Sequence, residues 1–409
     1  MNTLPYPPAR AELVVIGGGV VGAATAFHAS RAGLRPLIVE ARPQLCTLTT
    51  PVAAGAFRLQ FEDREELELV RESVELFLRF AEVTRQRTYD PGVRERGYLW
   101  LATSEATAER QRALVAQLHA WGQRDVEVVD GDAVRERWPW VAPEVRQARW
   151  RAADGFLDTK ELTFGLAEGS GAGLLVDHAV TGFDVQNGRL RGVRTAAGTI
   201  ETDAAVIAAG PMSGPLAALA GVDLPLVTIR RQKVILPDVP EVPADGPMTI
   251  DEDTGAHWRP AQSGGAWLLH TDPATGPSEP TMDVPTDHRF AFRLLDPASP
   301  VSVARVVPFW RDVWERGSRH WMLQAGQYTV TPDHRPLIGE TDVRGLFVNT
   351  GYSGHGIMLS PAGGRLLVEA VLGSGGGSGG RSGDGPGSSP FVDPFSPGRP
   401  MNARVQPTL

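Results

Sequence analysis

The 409-residue sequence predicts an α/β fold on three observations. A short apolar, β-branched run, Leu13 to Ile16, leads straight into glycines and then a helix-tolerant stretch. Two further apolar runs, Ala204 to Ile207 and Leu346 to Asn349, also end in Gly-rich turns far along the chain. Amphipathic helices and strands fill the intervals, as in a sheet covered by helices.

The first run opens "AELVVIGGGVVGAATAFHASRAGLRPLIVEA" (Ala11 to Ala41). Gly17, Gly19 and Gly22 spell G-x-G-x-x-G, and Leu37 to Val39 is a second strand ending at Glu40. Gly17 permits the tight turn, Gly19 lets backbone approach a phosphate, and Gly22 lets the helix pack on the strand. The helix N-terminus supplies free N–H groups and a positive dipole end to an anion. Glu40 stands roughly 20 residues on, where a carboxylate accepts ribose hydroxyls and disfavours a 2′-phosphate. This order of elements predicts a dinucleotide cradle.

A loop, "ARPQLCTLTTPVAAGAFRLQFED", follows and contains Arg58. "REELELVRESVELFLRFAEVTRQ" has helical spacing with one core face. "GYLWLAT" reads as a strand, "SEATAERQRALVAQLHAWG" as an amphipathic helix, and "DGDAVRERWPWV" as a short helix closed by Pro139. "GFLDT" is a turn before a helix from Lys160. A β-meander turns at Asn187-Gly188 and Ala197-Gly198 and ends in the strand before Ala208-Ala209-Gly210-Pro211. Residues 225 to 325 hold Pro-punctuated strands such as "TIRRQKVILP" and "HWRPAQSGGAWLLH", then a helix in "DHRFAFRLL". The strand Leu346 to Asn349 leads through a Gly-rich turn into a last helix expected to start near Pro361. Ser374 to Ser389 is nearly all Gly and Ser, a linker composition.

Hydrophobic residues make up 42% and charged residues 22%, as in soluble globular proteins, and the length suffices for two domains. A net charge of −8 does not indicate nucleic acid or an anionic membrane as partner. No apolar run is read as approaching the roughly 20 residues of a membrane span, and "MNTLPYPPAR" lacks a signal-peptide core. Cys46, the single cysteine, excludes an internal disulfide and a cysteine metal cluster, and no metal site is expected. These features together predict a cytoplasmic protein.

Three Gly-rich strand ends far apart in sequence are most simply read as meeting around one large cofactor. "VVIGGGVVGAATAFHASRAG…LIVEA", "GYLWLAT", "GFLDT", "AAVIAAGP", "TPDHRPLIG" and "GYSGHGIMLSPAGG" together resemble the FAD-dependent D-amino-acid-oxidase-like superfamily. The resemblance is to its sarcosine oxidase and glycine oxidase branch, and it covers about residues 11 to 372. It implies FAD, a Rossmann-like domain of the glutathione-reductase type, and a substrate domain with a mainly antiparallel sheet over the flavin. The FAD domain is expected over residues 1–90, 150–222 and 325–372. The substrate domain is expected over 91–149 and 223–324, a linker over 373–390 and a tail over 391–409.

The same resemblance implies site residues. Gly17, Gly19, Val20, Val21 and Gly22 hold the pyrophosphate; Glu40, with Ala41 and Arg42 after it, holds the adenosine ribose. Thr49, Thr50, Ala54 and Gly55 line the approach to the flavin. Val180 holds adenine by its backbone, and Ala209 and Gly210 close near the ribose. Gly354, His355, Gly356, Ile357 and Met358 pass the pyrimidine edge of the flavin. Arg58 corresponds to the arginine that binds substrate carboxylate, a role its planar fork suits. His257 and Arg259 lie on a strand facing the substrate; Tyr328, Tyr352 and His355 are further candidates for the pocket. Asp333 and Arg335 are expected to tie their turn together.

Two departures matter. The family's covalent cysteine before "YTxTPD" is Gly326 here, so non-covalent FAD is expected. Its two lysines read Ile357-Met358 and Leu268-Leu269, which leaves Arg58 as the main anion anchor and no obvious cation to favour oxygen. The expected reaction is hydride transfer from the α-carbon of an amine or amino acid to flavin N5, with oxygen or another acceptor taking the electrons. The alternatives are a 2-hydroxy-acid or polyol-phosphate dehydrogenase, which needs a histidine base, or a flavin-binding subunit of a larger complex. The sequence leaves open whether the chain forms a homo- or hetero-oligomer.

Overall fold

A computed structural model describes residues 1–317, 320–374 and 393–403. A seven-stranded sheet carries the dinucleotide motif. Its order is Asn2–Thr3, Gly173–Leu175, Pro36–Val39, Leu13–Ile16, Ala205–Ile207, Leu346–Thr350, Leu337–Glu340. Every neighbouring pair is parallel except the last. Both faces are covered, which is why these strands read as unbroken apolar runs. Val14, Ile16, Leu37 and Val39 point to a core shared with the meander Val180–Gln186, Arg189–Thr195 and Gly198–Glu201. Leu13, Val15 and Ile38 point to a core shared with the helices Val20–Arg31, Arg64–Leu78, Thr159–Ser170 and Gly356–Ser374. Each such side chain stabilises the fold by roughly 1.5–3 kcal/mol relative to exposure.

The second sheet has eight strands, in the order Met322–Val330, Val227–Leu236, Ala266–His270, Ala256–Pro260, Met248–Asp251, Tyr98–Ala102, Gln147–Arg151, Glu127–Asp130. It is antiparallel except where Met248–Asp251 lies parallel to Tyr98–Ala102. Alternation gives it two different faces. Leu99, Leu101, Val234, Leu236, Trp258 and Leu268 pack beneath the helices Arg289–Leu295 and Phe309–Arg316. The opposite face carries Tyr98, Trp100, Arg149, Lys233, His257 and Arg259, and it faces the loop after Glu40. Across that gap Arg259 Nε donates to the Ala54 carbonyl (2.6 Å) and Lys233 Nζ to the Pro51 carbonyl (2.8 Å).

Several expectations need correction. The last helix begins at Gly356, not near Pro361, and contains that proline. Ser73 Oγ accepts the Ala362 N–H beside it (3.2 Å), one compensation for the disturbed ladder. This 19-residue helix is long and apolar enough to cross a membrane by length and composition, contrary to the expectation of no such run. It packs instead against Val20–Arg31 and Arg64–Leu78 in the first core. The helix after Arg58 breaks at Arg79 into Arg64–Leu78 and Phe80–Thr84. The expected domain boundaries at 149/150 and 324/325 cut through the strands Gln147–Arg151 and Met322–Val330 of the eight-stranded sheet. Most of the linker expected over 373–390 lies outside the described residues. Of the tail, the described part docks: Phe395 is fully buried, and Arg399 pairs with Asp333 (2.8 Å).

Candidate active site

The dinucleotide end is made mostly of backbone. A Cβ on Gly17 (φ +113°) would collide with the Ala208 carbonyl, and one on Gly22 with the Gly17 carbonyl. Only glycine lets these three segments converge. No side chain caps the helix Val20–Arg31 at Gly19. Val20 N–H donates to Thr50 Oγ1 (3.2 Å), and the rest of the first turn is left for an anion. Glu40 accepts from Gly18 N–H (2.7 Å) with one oxygen and from Arg42 N–H (2.9 Å) with the other. A carboxylate has about four acceptor sites, so Glu40 shapes the turn and keeps capacity for ribose hydroxyls.

A cavity of about 400 Å³ runs from this cradle toward the second sheet. Of the residues expected to hold the dinucleotide, Gly17, Gly19, Val20, Val21, Glu40, Ala41, Arg42, Thr49, Thr50, Val180, Ala209, Gly210, Gly354, Gly356 and Ile357 line it. Gly22, Ala54, Gly55, His355 and Met358 do not. Gly22 and Gly55 act through backbone packing, and Met358 belongs to the first core. Met282 lines the cavity too, unforeseen, because the Arg42 guanidinium donates to its carbonyl (2.7 Å). A cavity of this shape, with a bare helix N-terminus at one end, fits a dinucleotide.

Arg58 does not line this cavity but lies near it, against His355, which stands between the lining residues Gly354 and Gly356. Its flanks are fixed by Asp154, which is fully buried and accepts from Leu59 N–H (2.8 Å) and Gln60 Nε2 (2.7 Å). Arg151 neutralises Asp154 (2.6 Å). Asp63 caps the next helix and is gripped by Arg335 (2.7 Å), which thus ties more than its own turn. The Arg58 guanidinium lies among the rings of Phe61 (4.8 Å), Trp100 (5.4 Å) and Tyr98 (5.7 Å). Its Nη2 lies 3.3 Å from His355 Nε2. A guanidinium only donates, so Nε2 is the acceptor and the His355 proton is on Nδ1. That nitrogen faces Glu66 Oε1 at 3.6 Å.

His257 lies on the same wall. Its Nδ1 is 2.9 Å from the Gly255 carbonyl, so it carries the proton and Nε2 keeps its lone pair. Burial pushes its imidazole down to about 4, which keeps it neutral near pH 7. Tyr328 lines the cavity, and burial raises its phenol. Tyr352 lines the cavity by other atoms, but its hydroxyl turns inward to Asn349 Oδ1 (2.5 Å) beside Gly363. Arg259 is fully buried and holds carbonyl groups of Ala54 and Pro260, so it supports the loop beside the cavity.

A cation stands across the sheet from Leu268-Leu269. Lys233 stands directly opposite Leu269 on the neighbouring strand. Its ammonium lies 3.9 Å from the Trp267 ring centre, and Arg259 lies on the same ring at 3.8 Å. Burial, reinforced by Arg259, lowers the Lys233 amine to about 7. Sequence reading missed Lys233 and Arg231, although one signal was present. In "IRRQKVILP" both stand in the alternate register opposite the apolar Val234 and Leu236, so they face the cavity side.

Residues 12–370 match the family described as FAD dependent oxidoreductase (DAO). The chain is 28% identical over 373 residues to glycine oxidase of Geobacillus kaustophilus, covering 88% of this chain and 93% of that protein. It is 25% identical over 391 residues to mouse mitochondrial dimethylglycine dehydrogenase, covering 89% of this chain but only 42% of that protein's length. Among solved structures, L-proline dehydrogenase from P. horikoshii superposes with a TM-score of 0.80 at 24% identity, over 95% and 97% of the two chains. That likeness carries the fold. The chain belongs to the DAO family of FAD-dependent oxidoreductases.

Proposed function

We propose that this FAD-dependent oxidoreductase oxidises the C–N bond of an amino acid or N-alkyl amino acid. The observation that carries the proposal is the Arg58 guanidinium, held in an aromatic cage beside His355 on the wall that His257 and Tyr328 share. Glycine oxidase and dimethylglycine dehydrogenase, to which the chain is similar, are named for donors of this class.

Bound FAD would supply the two-electron acceptor, and Gly17, Gly19, Glu40, Thr50 and Gly210 would hold it. Arg58 takes the substrate carboxylate through paired N–H donors, which fixes the α-carbon in place. His355 and Asp154 keep the guanidinium aimed. Neutral His257 offers its Nε2 lone pair to an amine N–H. The Tyr98, Trp100 and Phe61 rings exclude water, which favours an uncharged amine with its lone pair free. No side chain has to remove the α-proton as such, because positioning and desolvation are what the wall provides.

We further propose that FAD is held without a covalent bond through cysteine. Gly326 occupies the position before "QYTVTPD", and burial raises the Cys46 thiol to about 11, so it stays protonated and unreactive. Acid precipitation that releases all the flavin would support this.

The test is an anaerobic titration of the flavin-loaded protein with sarcosine, glycine, L- and D-proline and matched 2-hydroxy acids. Bleaching of the visible flavin bands by an amine, and not by the hydroxy acids, is the expected result. Bleaching only by a hydroxy acid would make His257 a base and overturn the proposal.

A further inference from the structure

The substrate-facing wall holds more positive charge than one carboxylate requires. Among the described residues, Arg231, Lys233 and Arg259 have no carboxylate oxygen within 4.0 Å, the limit for an ion pair. Lys233 and Arg259 donate N–H groups to carbonyls of the loop beside the cavity. Arg231 has no such commitment. Its Nη1 makes only two marginal contacts, at 3.5 Å, to the carbonyls of Arg230 and Asp272. Its Nε is buried without a hydrogen-bond partner. Asp272, the acid whose charge reaches it, is already paired with Arg293 (2.8 Å).

The position of Arg231 follows from strand register. It stands opposite Gly326, two residues before Lys233 and two residues after Ile229, which pairs with Tyr328. Its guanidinium lies 5.7 Å from the Tyr328 ring centre. Tyr328 lines the cavity, so Arg231 stands beside the cavity wall. A half-buried guanidinium without an acid is costly in the free protein. An incoming anion would offset that cost.

We propose that Arg231 is a second anion anchor and that the substrate is a dicarboxylate, an amino acid or N-alkyl amino acid carrying a second carboxyl group. This rests on the reading that Arg58 binds the first carboxylate. Arg58 and Arg231 then take one carboxylate each, with Tyr328 beside Arg231.

The experiment compares two unreactive ligands of the same chain length, butyrate and succinate. The flavin-loaded full chain is titrated, and the change in flavin absorbance gives each dissociation constant. Succinate is expected to bind about ten- to a hundredfold tighter, the range for a hydrogen-bonded charge pair. Arg231→Gln is expected to erase that gap, and Arg231→Lys to keep part of it. Flavin content and thermal melting report whether each variant is folded, and the wild-type comparison decides even if neither folds. Succinate binding no tighter than butyrate would overturn the second anchor while leaving amine oxidation standing. An Arg231→Gln variant that keeps the full preference would do the same. If neither acid perturbs the flavin, both anchors fail together.

Discussion

Replacing Lys233 by methionine should change how stability responds to pH. The lysine is 1% exposed, and burial lowers its amine from 10.5 to about 7. In the FAD-free protein, the unfolded chain therefore binds a proton between pH 7 and 10.5 that the folded chain does not. Stability from this group must rise with pH across that window, by about 1.4 kcal/mol per pH unit. Below pH 7 the full cost of burying the charge is present, about 5 kcal/mol on the same scale. Methionine has similar length and packs well against an aromatic ring such as Trp267, and it removes the titration. Urea unfolding at 25 °C, at pH 6, 8 and 9.5, gives both stabilities. The variant's advantage over wild type should be largest at pH 6 and shrink by about 3 kcal/mol by pH 9.5. Curves that run parallel for the two proteins would refute the placement of a desolvated lysine opposite Leu269. Loading with FAD should flatten the difference, because a nearby anion favours the ammonium.

Arg58→Lys should raise KM for amino acids about ten- to a hundredfold, through loss of the paired geometry, while a matched amine without a carboxylate is affected far less. Steady-state kinetics on the two donors separates these outcomes, and an equal loss on both would count against carboxylate binding. Asp154→Asn should destabilise the fold by about 1–3 kcal/mol, because it weakens the hydrogen bonds from Leu59, Gln60 and Arg151 while Arg151 keeps Asp125, and calorimetry measures it. Gly22→Ala drives a Cβ into the Gly17 carbonyl; purified variant should carry little flavin, as its visible absorbance will show.

The dinucleotide cradle was legible because it is local. One strand, one turn, one helix and an acid follow within a single βαβ unit, and each residue type has its own physical reason to be there. The aromatic cage of Arg58 was only half legible. The arginine stood out after "AAGAF", and Phe61 follows it in the same loop, but Tyr98 and Trp100 reach it from a strand of the second sheet. Tyr352 was legible only in part: it lines the cavity, but its hydroxyl needs a buried partner and finds it in Asn349. The start of the last helix was misplaced because proline is common near helix starts, and here it stands five residues inside.

The sequence by itself determined the α/β class, the glycines that admit a pyrophosphate and the acid that follows them. These depend on contacts within a few tens of residues, where spacing is geometry. Only the tertiary structure decided which cations share a wall. Arg231, Lys233, Arg259 and Arg58 come from two strands and a loop, and strand register turns the first three toward the same side. Alternation along "IRRQKVILP" marks the side of Arg231 and Lys233, but only the register of the neighbouring strands brings Arg259 and the Arg58 loop to that side.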